Sequence, residues 1–276
     1  MLLRSEMLRR LLIRPGGIGD CILSLPALEH LAADYTEVWV PGAVASLIRF
    51  ADHVRSLSST GLDLVGLPGI EPPTHALAAL AQFDSIVSWY GANRPEFRAA
   101  VRELGLPFKF FDALPREPSG VHAADYFLRQ VGGEGHAVPR VACPRSDGGF
   151  AAIHPFSGSV SKNWPLDRFQ YVAKQLNIPV RWCAGPEEAL PDAVRFDDLY
   201  ELALWLADAQ IYIGNDSGIT HLAAAVGTPV LAIFGPSNPA IWGPRGDRVR
   251  VAGGRGQWPD ADEVLASAAE LLGYLL

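Results

Sequence analysis

The stretch LRRLLIRPGGIGDCILSLPALEHLAA, residues 8–33, decides the architecture of this chain. It opens with a short apolar run over 8–14, turns through Pro15, Gly16 and Gly17, and continues over 20–33 with apolar side chains at helical spacing. That is a strand, a glycine turn and a helix, the first unit of a doubly wound α/β sheet. Outward from it the alternation recurs, with strands expected at 38–40, 54–57, 85–88 and 108–111 and helices at 43–51, 74–82, 95–104 and 122–131. Strands separated by helices imply a parallel sheet covered on both faces.

Residues 132–149 are rich in glycine and proline and read as a linker. A second alternation follows, with strands at 150–154, 180–184, 211–214 and 229–234 and helices at 164–176, 199–207, 219–226 and about 260–274. The expected architecture is two Rossmann-like domains, 1–144 and 145–276, facing a central cleft, with the last helix free to pack back on the first domain.

Composition narrows the function classes. The 276 residues carry a net charge of -7, and no basic reading helix stands out, which argues against nucleic acid as a partner. Arg4, Arg9, Arg10 and Arg14 offer two readings, a transient contact with the inner membrane surface or the solvated flanks of a buried strand. Cys21, Cys143 and Cys183 are odd in number and lack metal-type spacing, as expected of reduced thiols in the cytoplasm. No apolar run approaches the roughly 18 residues that span a bilayer. The expectation is a cytoplasmic protein, with peripheral attachment to the inner face of the membrane as a variant.

Three loops at strand ends carry the chemistry. In Arg14-Pro-Gly-Gly-Ile-Gly-Asp20, Gly17 and Gly19 let backbone approach a ligand, while Asp20 is either a helix-capping carboxylate or a general base at the cleft. The spacing is not that of a nicotinamide fingerprint. In Gly214-Asn-Asp-Ser-Gly-Ile-Thr-His221, Asp216 or Ser217 caps a helix whose first N–H groups, around Gly218, form an anion site that needs no metal; His221 sits on the same end, or is buried in the core. In Ser157-Gly-Ser-Val-Ser-Lys-Asn-Trp164, Ser157 and Ser159 can donate hydroxyl hydrogens and Lys162 a charge to a phosphate, against the alternative of a solvated loop. Glu187, after the next strand, can accept from a ribose hydroxyl or remain in solvent.

In this order the loops resemble the heptosyltransferases, the family nine glycosyltransferases of GT-B type that build lipopolysaccharide core. The likeness is strongest over 13–27, 157–165 and 214–244. It implies an acceptor-side domain followed by a nucleotide-sugar domain, an ADP-heptose donor, a glycan or glycolipid acceptor, and no cofactor or metal. It also implies Asp20 as base, Asp216, Ser217, Gly218 and His221 at the diphosphate, Lys162 facing phosphate, and Glu187 at the nucleoside. The expected reaction is inverting and metal-independent, with an inactive sugar-nucleotide binder and a sugar-nucleotide epimerase or hydrolase as alternatives. Members have a helix and a strand where this chain has about ten residues between Glu188 and Leu199, so an altered nucleoside pocket is expected.

Overall fold

The computed structural model describes residues 7–115, 120–146 and 148–273. The first half forms a sheet from β1 (Arg9–Ile13), β2 (Tyr35–Val40), β3 (His53–Ser56), β4 (Ser85–Ser88) and β5 (Phe108–Phe110), in the order β3-β2-β1-β4-β5. Every pairing is parallel. Its helices are α1 (Ile18–His30), α2 (Thr74–Leu80), α3 (Pro95–Glu103) and α4 (Ala123–Gln130). Leu11, Leu12 and Ile13 of β1 are all fully buried, because a central strand of such a sheet has helices on both faces.

The second half repeats the plan with β6 (Ala151–His154), β7 (Val180–Trp182), β8 (Ile211–Asn215), β9 (Val230–Phe234) and β10 (Val249–Gly253). Between them run α5 (Leu166–Gln175), α6 (Leu199–Ala207), α7 (Gly218–Ala225), the single turn α8 (Pro239–Trp242) and α9 (Ala261–Leu272). The sheet order is β10-β9-β8-β6-β7, again parallel. Outside β7, Val194 makes one parallel bridge with Cys183, its N–H donating to the Trp182 carbonyl. The short passage between Glu188 and Leu199 thus returns once to the edge of this sheet and holds no helix.

The expected strands and helices lie close to these bounds, with informative differences. Where a helix was expected over 43–51, a 3-10 turn runs over Gly42–Leu47, and the chain opens into extended backbone at Ile48. Neither α8 nor β10 was anticipated. The last helix packs against α5 and against β8, β9 and β10, burying Val264, Ala268 and Leu271 there, so it stays on its own half instead of returning to the first. Its expected end at Tyr274 lies outside the described residues. A continuous apolar core joins the halves, with Cys21, Leu25 and Phe127 in the same cluster as Leu202, Leu222 and Ala223. No helix among the described residues is long and apolar enough to cross a membrane.

Of the four N-terminal arginines, Arg4 lies outside the described residues. Arg14 is no surface flank: it is buried, donating from Nε to Ser24 Oγ at 3.0 Å, from Nη1 to the Pro15 carbonyl at 2.9 Å and from Nη2 to the Asp20 carbonyl at 3.2 Å. Its guanidinium also covers the Phe127 ring at 4.6 Å. Three donors on one turn fix the backbone from β1 into α1. Arg9 donates to the Gln82 carbonyl and lies over Tyr35, and Arg10 donates to the Leu31 carbonyl.

Candidate active site

The carboxyl ends of both sheets meet at a cleft, and α1 and α7 start there head to head. A Cβ on Gly218 would come within 2.6 Å of the Ile18 Cβ and 3.0 Å of the Gly19 N. One on Gly19 would come within 3.1 Å of the His221 ring. Glycine at these two positions is therefore what lets the helix starts touch. The consequence is electrostatic: two helix N-termini, each a partial positive charge with unpaired N–H groups, converge on one space.

That space is a cavity of about 670 Å³. Gly17, Gly19 and Asp20 line it from the first half, and Ser157, Ser159, Lys162, Asp216, Ser217, Gly218 and His221 from the second. All but one of the residues singled out from sequence are thus brought together. The exception is Glu187, which is exposed and off the cavity wall. Its neighbour Glu188 lines the wall instead. Glu188 Oε2 accepts from the Gly185 N–H at 2.6 Å and pairs with His154 Nε2 at 2.9 Å. Burial pushes the Glu188 carboxyl upward, but the His154 and Gly185 hydrogen bonds outweigh it and hold the group below the usual glutamate value.

Asp20 occupies the third position of α1, where one carboxylate oxygen, Oδ2, accepts from the Gly17 N–H at 2.9 Å. The carboxylate thus both closes the helix start and faces the cavity. The two readings of Asp20 are compatible, since Oδ1 is not used by the cap.

Lys162 donates to Asp216 Oδ2 at 2.7 Å, and the Ser237 hydroxyl donates to the same oxygen at 2.5 Å. Asp216 is almost fully buried, so it acts as the tether of this lysine rather than as a group facing an anion. Beside it, Asn215 accepts from the Trp164 N–H at 2.9 Å and donates to the Pro155 carbonyl at 2.7 Å, pinning both ends of the lysine loop to the end of β8. Sequence reasoning passed over Asn215, Ser237, His154 and Glu188. The first stood inside the quoted Gly214–His221 stretch and was legible there as a residue able to donate and accept at once.

Ser217 caps α7, accepting from the Thr220 N–H at 3.4 Å. Ser157 Oγ donates to the Ser159 carbonyl at 2.7 Å, and Ser159 Oγ shares a hydrogen with Ser161 Oγ at 2.9 Å, so both hydroxyls first of all shape their own loop. His221 is buried with its value lowered to about 4 by desolvation, against the raising influence of Asp216 and Asp20 and with the lowering influence of His122 and Lys162. It is neutral at pH 7 and can offer a hydrogen bond but no charge.

Across from it, His122 caps α4: Nδ1 accepts from the Ala124 N–H at 3.2 Å, so Nε2 carries the hydrogen and donates to the Gly243 carbonyl at 2.8 Å. Burial lowers His122 to about 4, and Arg245 and His136 add to this, while the Gly243 hydrogen bond and Asp125 oppose it. Both histidines are neutral in the fold where the unfolded chain would protonate near 6.5. Stability from this source is complete above pH 6.5 and falls as the pH drops toward 4, because the unfolded state binds the protons first. Urea unfolding at pH 7 and pH 5 should differ by on the order of a few kcal/mol, and this difference should shrink in His122→Gln.

Comparison with known proteins follows the same lines. The model of glycosyltransferase family 9 (heptosyltransferase) matches residues 128–268. The chain belongs to glycosyltransferase family 9. The family 9 match takes in the lysine loop, the α7 start and Trp242, while Asp20 lies before it. The lipopolysaccharide core heptosyltransferase OpsX of Haemophilus influenzae is 22% identical over 281 residues, covering 83% of this chain and 79% of the relative. Lipopolysaccharide heptosyltransferase 3 of Escherichia coli is 41% identical over 117 residues, 34% of each chain. Among solved structures, E. coli ADP-heptose heptosyltransferase II has a TM-score of 0.73 at 16% identity over 96% of this chain and 98% of that one. E. coli heptosyltransferase WaaC, solved with ADP-2-deoxy-2-fluoro heptose, has a TM-score of 0.61 at 16% identity over 95% and 98%. The architecture is that of the GT-B glycosyltransferases, and the family 9 protein described here is a glycosyltransferase on that scaffold.

Proposed function

We propose that this family 9 glycosyltransferase moves heptose from ADP-heptose to a hydroxyl of a lipopolysaccharide core acceptor, with inversion and without a metal ion, at the cytoplasmic side of its membrane. Residues 1–144 serve as the acceptor-side domain and 145–276 as the donor domain. The reading is carried by one observation: the start of α7 and Lys162 lie on the same cavity wall as the Asp20 carboxylate of the opposite half.

The acceptor oxygen forms its bond to the anomeric carbon as the proton passes to Asp20 Oδ1. On the other face the bond from the anomeric carbon to the diphosphate oxygen breaks, and the electron pair leaves with the ADP. The N–H groups following Ser217 and the Lys162 ammonium take up that charge, the part a divalent cation plays elsewhere. Glu188, held by His154, is the carboxylate placed to accept from the ribose hydroxyls, in the role sequence reasoning gave to Glu187. OpsX and E. coli lipopolysaccharide heptosyltransferase 3, both heptosyltransferases of lipopolysaccharide by name, support the choice of sugar and acceptor.

The test is transfer of heptose from ADP-heptose to a heptose-deficient lipopolysaccharide core, followed by mass spectrometry with and without EDTA. The expected result is product in both, of inverted anomeric configuration. Lys162→Ala should lower kcat about a hundredfold, the size of losing one charge-stabilising group. Dependence on an added divalent ion, or an unaffected Lys162→Ala, would remove the lysine from this role.

A further inference from the structure

Asp20 and Trp242 line the same cleft from opposite halves of the chain, and α4 of the first half is tied to both. Along its length α4 packs against α1, which carries Asp20. Near its middle the Phe127 ring lies under the Arg14 guanidinium at 4.6 Å, and Arg14 Nη2 donates to the Asp20 carbonyl at 3.2 Å. At its start His122 Nε2 donates to the Gly243 carbonyl at 2.8 Å, and Gly243 directly follows Trp242. An unbroken run of contacts thus leads from Asp20 through Arg14, Phe127 and His122 to the peptide beside Trp242.

His122 is buried and lies off the cleft wall, so any influence on the reaction passes through what it holds. Its ring has two duties: Nδ1 accepts from the Ala124 N–H and closes the start of α4, while Nε2 reaches the other half. Capping needs only one acceptor, and asparagine, aspartate or serine supply it more often than histidine. The second nitrogen is what a histidine adds. The bond from Asp125 to Arg245 joins the same segment three residues past Trp242, off the cleft. Since α8 is a single turn, its last residue is placed by what holds its ends, Asn238 meeting Arg255 at 3.3 Å and Gly243 meeting His122.

We propose that His122 is a positioning residue for transfer: through Gly243 it holds the cleft wall at Trp242 in one frame with Asp20 of the opposite half. Its kinetic consequence rests on the donor and base reading above. A wall that shifts by about 1 Å relative to the base costs up to a hundredfold in rate, although neither group is lost. The nucleotide is untouched, because Glu188, the start of α7 and Lys162 all belong to the second half.

The two duties separate by substitution, since asparagine reproduces the position of Nδ1 and glutamine that of Nε2. His122→Asn keeps an acceptor for the Ala124 N–H and loses the bond to Gly243; His122→Gln keeps a donor for Gly243 and loses the cap. Each should lower the melting temperature by about 3 °C, the size of one lost hydrogen bond. In transfer from ADP-heptose to the lipopolysaccharide core, His122→Asn should lower kcat about tenfold with ADP affinity and KM for ADP-heptose unchanged, and His122→Gln should restore kcat to within a factor of about three. Fluorotryptophan labelling of the seven tryptophans, with the Trp242 signal assigned by Trp242→Phe, gives a readout that needs no substrate. That fluorine resonance should move in His122→Asn and return in His122→Gln. Equal kcat losses in the two variants would reduce His122 to a cap, and an unmoved Trp242 resonance or an unchanged kcat in His122→Asn would overturn the proposal. If the unsubstituted protein transfers no heptose, the donor reading falls, while the fluorine shifts still decide whether His122 places Trp242.

Discussion

Asp20→Asn is expected to bind ADP-heptose with unchanged affinity and to lose about three orders of magnitude in kcat, within the range for removal of a general base. The substitution is close to isosteric, and an asparagine oxygen still accepts from the Gly17 N–H that Asp20 Oδ2 meets at 2.9 Å. Arg14 binds the Asp20 backbone carbonyl and the Pro15 carbonyl, contacts that do not involve the altered atoms. The turn through Gly16, at φ +121°, and the start of α1 therefore persist, and the melting temperature should barely move. What disappears is the ability to accept a proton. Single-turnover kinetics with saturating ADP-heptose read that loss directly, apart from binding. A kcat within a factor of about three of the unsubstituted protein would exclude Asp20 as the base.

The capacity of Asp20 to serve two ends explains how the sequence could be read two ways. A carboxylate three residues into a helix is a common cap, and no local pattern says which oxygen is spare. The glycines around it were more informative. Gly19 and Gly218 looked like backbone approaches to a ligand, and they are first of all an approach of two helix starts to each other. That contact spans about two hundred positions of sequence, so it is invisible to periodicity even though both glycines stand inside the motifs that marked the site.

The central strands were legible because β1, β6, β8 and β9 are buried on both faces and read as continuous apolar runs. The segment around α8 and β10 was not, since Pro236, Pro239, Gly243, Pro244 and Gly246 interrupt any period, and β10 is an edge strand with an exposed arginine and valine. The resemblance drew attention to the short passage after Glu188. It did not reveal that Val194 still bridges to Cys183, which returns the chain to the sheet edge and leaves Glu188 turned inward against His154. Choosing between two adjacent glutamates in a turn requires the turn itself. Sequence proximity to the strand end could not make that choice.

The pair Asp125 and Arg245 was equally hidden, and its removal is expected to give the largest loss of stability. Asp125, on α4 of the first half, meets Arg245, just beyond α8, through two parallel bonds, Oδ1 to Nη1 at 2.5 Å and Oδ2 to Nη2 at 2.7 Å. Both side chains are 13% exposed. The Ala137 N–H donates to Asp125 and the Ala137 carbonyl accepts from Arg245, so the linker is stitched into the same clamp. Burial pushes the Asp125 carboxyl upward, but the bonds from Arg245 and Ala137 outweigh it and bring the group down to about 2. A carboxylate lowered in this way stabilises the fold above pH 4 and loses that contribution as the pH falls toward 2, below the window in which the two histidines act. Asp125→Ala leaves a buried guanidinium without its partner, a change that costs about 3 kcal/mol in comparable buried pairs. For a chain of this length that is a fall in melting temperature on the order of 10 °C. Asp125→Ala with Arg245→Met, which removes both charges, should recover much of the loss. If the single and double variants melt together within about 1 °C of the unsubstituted protein, the clamp is not what holds α4 to the Trp242–Arg245 segment.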